Sequence, residues 1–369
     1  MKITEVQAIP IAVPMKTPLK MAVATVTERT CIVVRIRTDE GLEGFGEGVI
    51  APYFTGETLA SAVYLVDALL APLIVGADPA DLHVLEQHMD RAVMGNSATR
   101  SAIDIALYDL LGKAHGVPLY QLLGGKVRDR VPTIWHVSGG DPDIDAADAT
   151  KAVAAGFSFI KVKVAIRSVE RDIERVLAVR EATGPDVVLL LDANQGWPAA
   201  EAIRFAHGVE AARPALLEQP VHRDDIPGMA HVRRSTSVVI AGDEGLFNAR
   251  ELATYLHTDA AGAVIAKLVK AGGISGLRRL AAVAAAAGIG IHFAGMAGET
   301  SVAAAAAVQL ACTLPELRFG SGISPHYLTD DVVTEPLTPV GGAFTVPEGP
   351  GIGVELDEEA LERLRVRDL

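Results

Sequence analysis

Five short apolar runs in this chain each end on residues able to carry charge into a reaction. Lys161-Val162-Lys163 closes Gly156 to Ile160, and Asp192 closes Val187 to Leu191. Glu218 closes Ala215 to Leu217, Asp243-Glu244 follow Val238 to Ile240, and Lys267 closes Ala263 to Ala266. From Lys163 onward the successive intervals are 29, 26, 25 and 24 residues. Three carboxylates, Asp192, Glu218 and Asp243, suit one hard divalent cation, Mg²⁺ or Mn²⁺, with positions left for substrate oxygens. Held together without a cation they would repel one another, and some would take up protons. Lys163 and Lys267 lie outside that ligand set and are the acid–base candidates. Lys161 and Lys163, two apart on a strand, point to one side about 7 Å apart and are expected to lower each other's basicity. Asn194 is two residues past Asp192 and points the same way, within reach of Lys163 or a substrate.

The elements that must position these groups follow from the interval. A short buried parallel strand, a helix and two loops take roughly 20 to 30 residues, so the beat is that of repeated strand–helix units. In a closed barrel of parallel strands, the C-terminal strand ends form one face, where the loops gather. A single Asp at such an end is more often a helix cap. Five charged ends in phase are better explained by a shared site.

The series resembles the enolase superfamily and, within it, the muconate-lactonizing (muconate cycloisomerase / mandelate racemase-like) subgroup, which carries Lys-x-Lys, Asp, Glu, Asp and Lys on barrel strands two to six. The likeness extends to Gly95-Asn96, Ala102-Ile103-Asp104, Leu122-Leu123-Gly124-Gly125, Gly272-Gly273-Ile274 and Pro350-Gly351-Ile352-Gly353. It implies an α/β fold: a (β/α)8-type, modified TIM barrel under an N-terminal α+β capping domain that the C-terminal tail completes. The expected units are residues 1–125 for the cap, 126–325 for the barrel and 326–369 for the returning tail. It further implies an isomerase with one Mg²⁺ or Mn²⁺ and no organic cofactor. It also implies a small carboxylate as substrate and a dimer or octamer as assembly.

Several reactions share an enolate intermediate of this kind. Trp135 to Asp141, Ala22 to Thr25 and Tyr327 to Val333 resemble muconate and chloromuconate cycloisomerases. No Asp-x-Asp follows Gly288 before the tail to hold a peptide amine, as dipeptide epimerases have. The leading expectation is therefore syn lactonisation of cis,cis-muconate or a substituted muconate. Racemisation or epimerisation of N-acylamino acids or dipeptides, o-succinylbenzoate synthesis, and a non-catalytic barrel that only binds metal or carboxylate are the alternatives. Lesser candidates around the substrate are His136 at the end of strand one, Tyr53 in a cap loop, and Glu244. Glu299 stands where lactonizing relatives carry a Glu, its other reading being a cap for the next helix. Gly245 departs from the Ser that relatives commonly show.

Composition limits the partners. The chain has 369 residues, a formal net charge of −13 and half its residues hydrophobic, only 5% aromatic. That balance argues against nucleic acid or an anionic membrane as partner. Met1 to Pro14 reads as no signal peptide, since Glu5 and Gln7 interrupt it, and a cytoplasmic location is expected. Cys31 and Cys312 are expected to be core thiols.

Strands are expected at Ile3 to Val13, Cys31 to Arg37 and Gly44 to Val49, with loops at Pro14 to Thr27 and Ile50 to Gly56. Helical periodicity covers Thr58 to Leu73, Pro79 to Val93 and Ala98 to His115. Barrel strand one is expected at Val131 to Trp135 and strand eight at Leu317 to Phe319.

Overall fold

The computed structural model describes all 369 residues. It begins with three antiparallel strands, β1 (Ile3–Lys20), β2 (Thr25–Thr38) and β3 (Glu43–Ile50), in that spatial order. The expected loop at Pro14 to Thr27 is mostly strand. The ladder slips after Pro14, which has no N–H to give, and resumes at Leu19↔Val26 and Lys20↔Thr25. Ile50 to Gly56 also holds structure, a single helical turn at Pro52–Thr55 closed by Gly56 at φ 80°.

On β3, Gly44, Gly46 and Gly48 alternate, so all three face one side. That side lies against the helix Ser97–His115. A β-carbon at these glycines would stand 2.3, 2.0 and 2.1 Å from the carbonyl oxygens of Ala106, Ala102 and Ala98, so strand and helix meet backbone to backbone. The opposite side of β3 presents Glu47, whose carboxylate accepts from the backbone N–H of Thr300 and of Ala303, at the start of a barrel helix. The helical run expected at Thr58 to Leu73 is broken by a π turn, Leu65–Leu70, between Leu59–Tyr64 and Ala71–Ile74. Pro72 cannot donate and would crowd the carbonyl a turn back, and the wider turn relieves this.

Next comes β4 (Arg130–Pro132), then eight parallel staves: β5 (Ile134–Val137), β6 (Phe159–Lys163), β7 (Val188–Asp192), β8 (Leu216–Glu218), β9 (Ile240–Gly242), β10 (Ala263–Ala266), β11 (Gly290–Ala294) and β12 (Ser321–Gly322). A bridge between Thr133 and Ser321 joins the last stave to the first. Helices between the staves cover the outside, and Ile134, Leu190, Leu216, Ala241, Ala263, Ile265, Ala294 and Phe319 plug the interior below the mouth.

Two barrel expectations shift. Strand one divides, since Arg130–Pro132 pairs outside the barrel with β13 (Ala343–Thr345) and only Ile134–Val137 forms a stave. Strand eight lies at Ser321–Gly322, not Leu317 to Phe319, because the chain turns there, with Gly320 at φ 65° donating its N–H back to the Leu317 carbonyl. The tail meets both halves: β13 pairs with β4, while Leu328 and Arg365 bridge to Met15 and Ile11 of β1. Both cysteines are buried and free. No helix is long and apolar enough to cross a membrane.

Candidate active site

The five charged strand ends meet in one cavity at the barrel mouth, roofed by the cap. Stave register explains the meeting. Lys163 is level with Asp192, and Asp192 with Glu218, on consecutive staves. Lys163 and Lys267 belong to the second and sixth staves of eight, so they rise from opposite walls with the acids in an arc between them. Asp192, Glu218, Asp243, Lys161 and Lys163 are all nearly sealed from solvent.

Each acid is engaged by a lysine. Lys163 Nζ lies 2.5 Å from Asp192 Oδ2, Lys161 Nζ 2.6 Å from Glu218 Oε2, and Lys267 Nζ 2.6 Å from Asp243 Oδ2. A fourth ammonium, Lys270, donates to both Oδ1 and the backbone carbonyl of Asp243 at 2.8 Å. Drawn apart in this way, no three acidic, His or Cys side chains close on a single point.

The charges in this buried site are finely opposed. Burial disfavours the Asp243 carboxylate, yet Lys267 and Lys270 outweigh it and hold the group well below the usual range. Glu218 goes the other way, up to about 8, because burial and the charges of Asp192 and Asp243 exceed what Lys161 returns. Lys163 corrects an expectation. Burial works against its ammonium, but Asp192 and Glu218 raise its basicity above that of an ordinary lysine, so Lys161 does not set the balance. A dication among the acids would take those charges away from the lysines and remove the cost carried by Glu218. The all-oxygen donor set therefore fits Mg²⁺ or Mn²⁺, with Asp192, Glu218 and Asp243 as the groups able to hold it.

Around this centre, Asn194 Oδ1 accepts from Lys163 Nζ at 2.9 Å, and its amide donates to Glu244 Oε1 at 3.1 Å. Asn194 adopts the left-handed conformation at φ 40°, its own N–H turned back to Asp192 Oδ1. Glu244 is pushed up to about 7, first by burial and then by Asp243 and Asp192. His136 lines the cavity beside Tyr327, and burial followed by Lys163 and Lys161 keeps it neutral. Tyr53 also lines the cavity, its hydroxyl accepting from Arg29.

Glu299 lies behind the main cavity. It caps no helix: Thr300 caps Ser301–Ala311, whereas Glu299 Oε2 accepts from Met296 N within its own loop.

Sequence reasoning missed four groups. Lys270 had a signal, three residues after Lys267 at the opening of a helical turn, where the two side chains share a face. Gln219 follows Glu218 and accepts from the N–H groups of Asp243 and Gly245, orienting the third acid. His292 faces the barrel interior, held by Phe319 O. Arg29 sits in a polar run, Thr25 to Thr30, with no mark of its role.

Comparison with known proteins identifies the family and agrees with the fold. Residues 3–124 match the Mandelate racemase / muconate lactonizing enzyme, N-terminal domain, and residues 145–360 match Enolase C-terminal domain-like. The N-succinyl-L-Arg/Lys racemase of Bacillus cereus is 33% identical over 99% of this chain and 98% of its own length. The 2-chloromuconate cycloisomerase of Rhodococcus opacus 1CP superposes with a TM-score of 0.95 at 34% identity, covering 100% of both chains. A dipeptide epimerase from Cytophaga hutchinsonii, complexed with Mg and the dipeptide D-Ala-L-Val, superposes with a TM-score of 0.93 at 31% identity, covering 99% of this chain and 98% of its own. All three are isomerases. With matched domains at both ends and relatives along its whole length, the chain belongs to the mandelate racemase / muconate lactonizing enzyme family of the enolase superfamily.

Proposed function

We propose that the chain is a metal-dependent isomerase that moves a proton at the carbon beside a substrate carboxylate, and that its reaction is syn lactonisation of cis,cis-muconate or a substituted muconate. The observation that carries the reading is the opposition of Lys163 and Lys267 across the mouth, with Asp192, Glu218 and Asp243 between them. Mg²⁺ or Mn²⁺ on those acids would bind the substrate carboxylate and stabilise the negative charge that develops on it.

The rest is work for the chain's own side chains. In lactonisation, the distal carboxylate oxygen of the substrate bonds to the diene carbon and a π electron pair shifts toward the near carboxylate. Lys163 Nζ then gives its proton to the α-carbon and regains one from solvent, so the dianion becomes a monoanionic lactone whose acid form is an isomer of the substrate's. Asn194 Oδ1, hydrogen bonded to that ammonium, fixes the direction of the proton. Lys267 stays charged on the other face. Leu19, Met21, Val23, Phe54 and Met296 line the cavity and suit an uncharged hydrocarbon segment between two carboxylates.

A second reading, racemisation of an N-acylamino acid, is favoured by the same pair of lysines. One would remove the α-proton and the other return a proton to the opposite face.

The test is loss of diene absorbance when purified protein meets cis,cis-muconate with Mn²⁺, with Asp243→Ala as control. Metal-dependent loss in the unaltered chain alone supports lactonisation. No loss, with α-deuteration of N-succinylamino acids in deuterated water, would shift the assignment to racemisation.

A further inference from the structure

Four cationic side chains line the cavity: Arg29, Lys161, Lys163 and Lys267. The three lysines each lie within 2.6 Å of a carboxylate oxygen. Arg29 alone has no acid within ion-pairing distance, although it is 97% buried, with a relative exposure of 3%. Burying a cation without a counter-charge is unfavourable. Its retention calls for an explanation.

The local geometry narrows it. Arg29 rises from β2, so it belongs to the roof, and it is the one charged residue among the cap residues on the cavity wall. Its Nε donates to the carbonyl of Ala297 and its Nη1 to the Tyr53 hydroxyl at 3.0 Å. Both acceptors are neutral. No protein group accepts from Nη2. A guanidinium carries five N–H donors in a planar fork, so two bonds to neutral oxygens hold the plane while leaving donors for an anion.

Neither acid behind the loop comes within ion-pairing distance of Arg29. Glu47 turns its oxygens to Thr300 and Ala303, and Glu299 turns Oε2 to Met296. Around Arg29 the roof is otherwise apolar or aromatic: Leu19, Met21, Val23, Tyr53 and Phe54. The cavity thus has a floor of paired charges and a largely apolar roof with one unpaired cation.

We propose that Arg29 binds a second, distal acidic group of the substrate, so that the cap selects dicarboxylates over monocarboxylates of equal chain length. The inference rests on the proposed reading only in sending the first carboxylate to the barrel floor. It admits muconates and N-succinylamino acids and disfavours dipeptides with apolar side chains. Arg29 is here a specificity-determining residue, acting on binding and not on the proton.

The test pairs two unreactive ligands of one length, adipate and hexanoate, titrated calorimetrically into the Mg²⁺-loaded full-length protein. The unaltered chain should bind adipate at least about 10-fold more tightly. Arg29→Met should weaken adipate by about 10- to 100-fold, as loss of charge-assisted hydrogen bonds implies, and leave hexanoate within about 2-fold. Arg29→Lys, which keeps the charge without the fork, should keep part of the preference, and it serves as the test if the Met variant does not fold. No preference in the unaltered chain, or an equal change for both ligands in either variant, overturns the proposal and leaves Arg29 a latch between Tyr53 and Ala297. Adipate preference that depends on Arg29, without turnover of muconate or of N-succinylamino acids, would sink the reaction assignment and keep Arg29. Muconate turnover indifferent to Arg29 would do the reverse.

Discussion

The ammonium of Lys267 lies 4.6 Å from the centre of the Phe54 ring, so the cap lays an aromatic face over a lysine supplied by the barrel. Such a contact favours the charged lysine by about 0.5 to 2 kcal/mol and keeps water from it. Phe54→Ala should reduce kcat/KM by about 10-fold or more, with Mg²⁺ affinity unchanged. Steady-state kinetics beside a metal titration will check this, and an unaltered kcat/KM would remove the cap from the reaction.

Lys163→Met and Lys267→Met test the two faces separately. A positioned proton donor or acceptor contributes about 10²- to 10⁴-fold, so lactonisation should fall by that factor at least in the Lys163 variant. Racemisation would need both lysines. Exchange of the α-proton with deuterated water, followed for each enantiomer, should then fail for one hand in each variant.

Asp243 neutralises two buried ammonium groups at once, Lys267 and Lys270. Asp243→Ala takes this counter-charge from both, leaving Lys270 only the backbone carbonyl of residue 243, and breaking a buried pair costs about 3 to 5 kcal/mol. We expect a lower Tm in chemical and thermal denaturation together with loss of Mg²⁺ binding by calorimetry. A variant as stable as the parent would mean that water reaches those lysines freely.

Glu299 has a pH signature. Burial, and then Glu47, push its carboxyl up to about 8 from an ordinary 4.5. The folded chain therefore holds a proton that the unfolded chain has released, and the stability this brings is complete below pH 4.5 and lost as pH rises through 8. Glu299→Gln removes the titration, so its Tm should fall less than the parent's between pH 6 and 9. Parallel curves in scanning calorimetry would show that Glu299 ionises freely in the fold.

Arg175 is fully buried between Asp145 and Asp172, 2.6 Å from an oxygen of each, and Asp145 also accepts from Gly139 N beneath the first stave's loop. Arg175→Leu should destabilise the fold by about 3 to 5 kcal/mol, read from the urea midpoint. The double variant with Asp145→Asn should recover part of that loss.

Much of the site was legible because its residues stand at fixed points of a repeated unit, where an apolar run stops and a charge begins. Asp192, Glu218, Asp243 and Lys267 need no tertiary information to be noticed. Arg29 lacks such a marker: it lies in the alternating polar run Thr25 to Thr30, and only the pairing of β2 with its neighbours decides that it faces inward. Pro14 to Thr27 was misread for a related reason. Proline and small polar residues favour turns locally, but two long strands already paired can carry a slipped register past them. The eighth stave escaped because it is only Ser321–Gly322, too short to show a period, beside a more apolar Leu317 to Phe319.

The three glycines of β3 bear on how the cavity admits its substrate. A strand whose three glycines bring a cap helix onto its backbone on one face, and whose Glu47 holds a barrel helix from the other, ties cap to barrel at a fixed distance. To swing the cap as a whole would mean breaking the buried bonds that Glu47 accepts from Thr300 and Ala303. Much less must give way at the rim, where Ala22 and Val23 at the hairpin tip and Pro52 and Tyr53 in the short helical turn are already exposed. Traffic through this site is therefore governed by a soft lip on a fixed collar, and the chain's choice of substrate can be retuned at that lip without disturbing the barrel below.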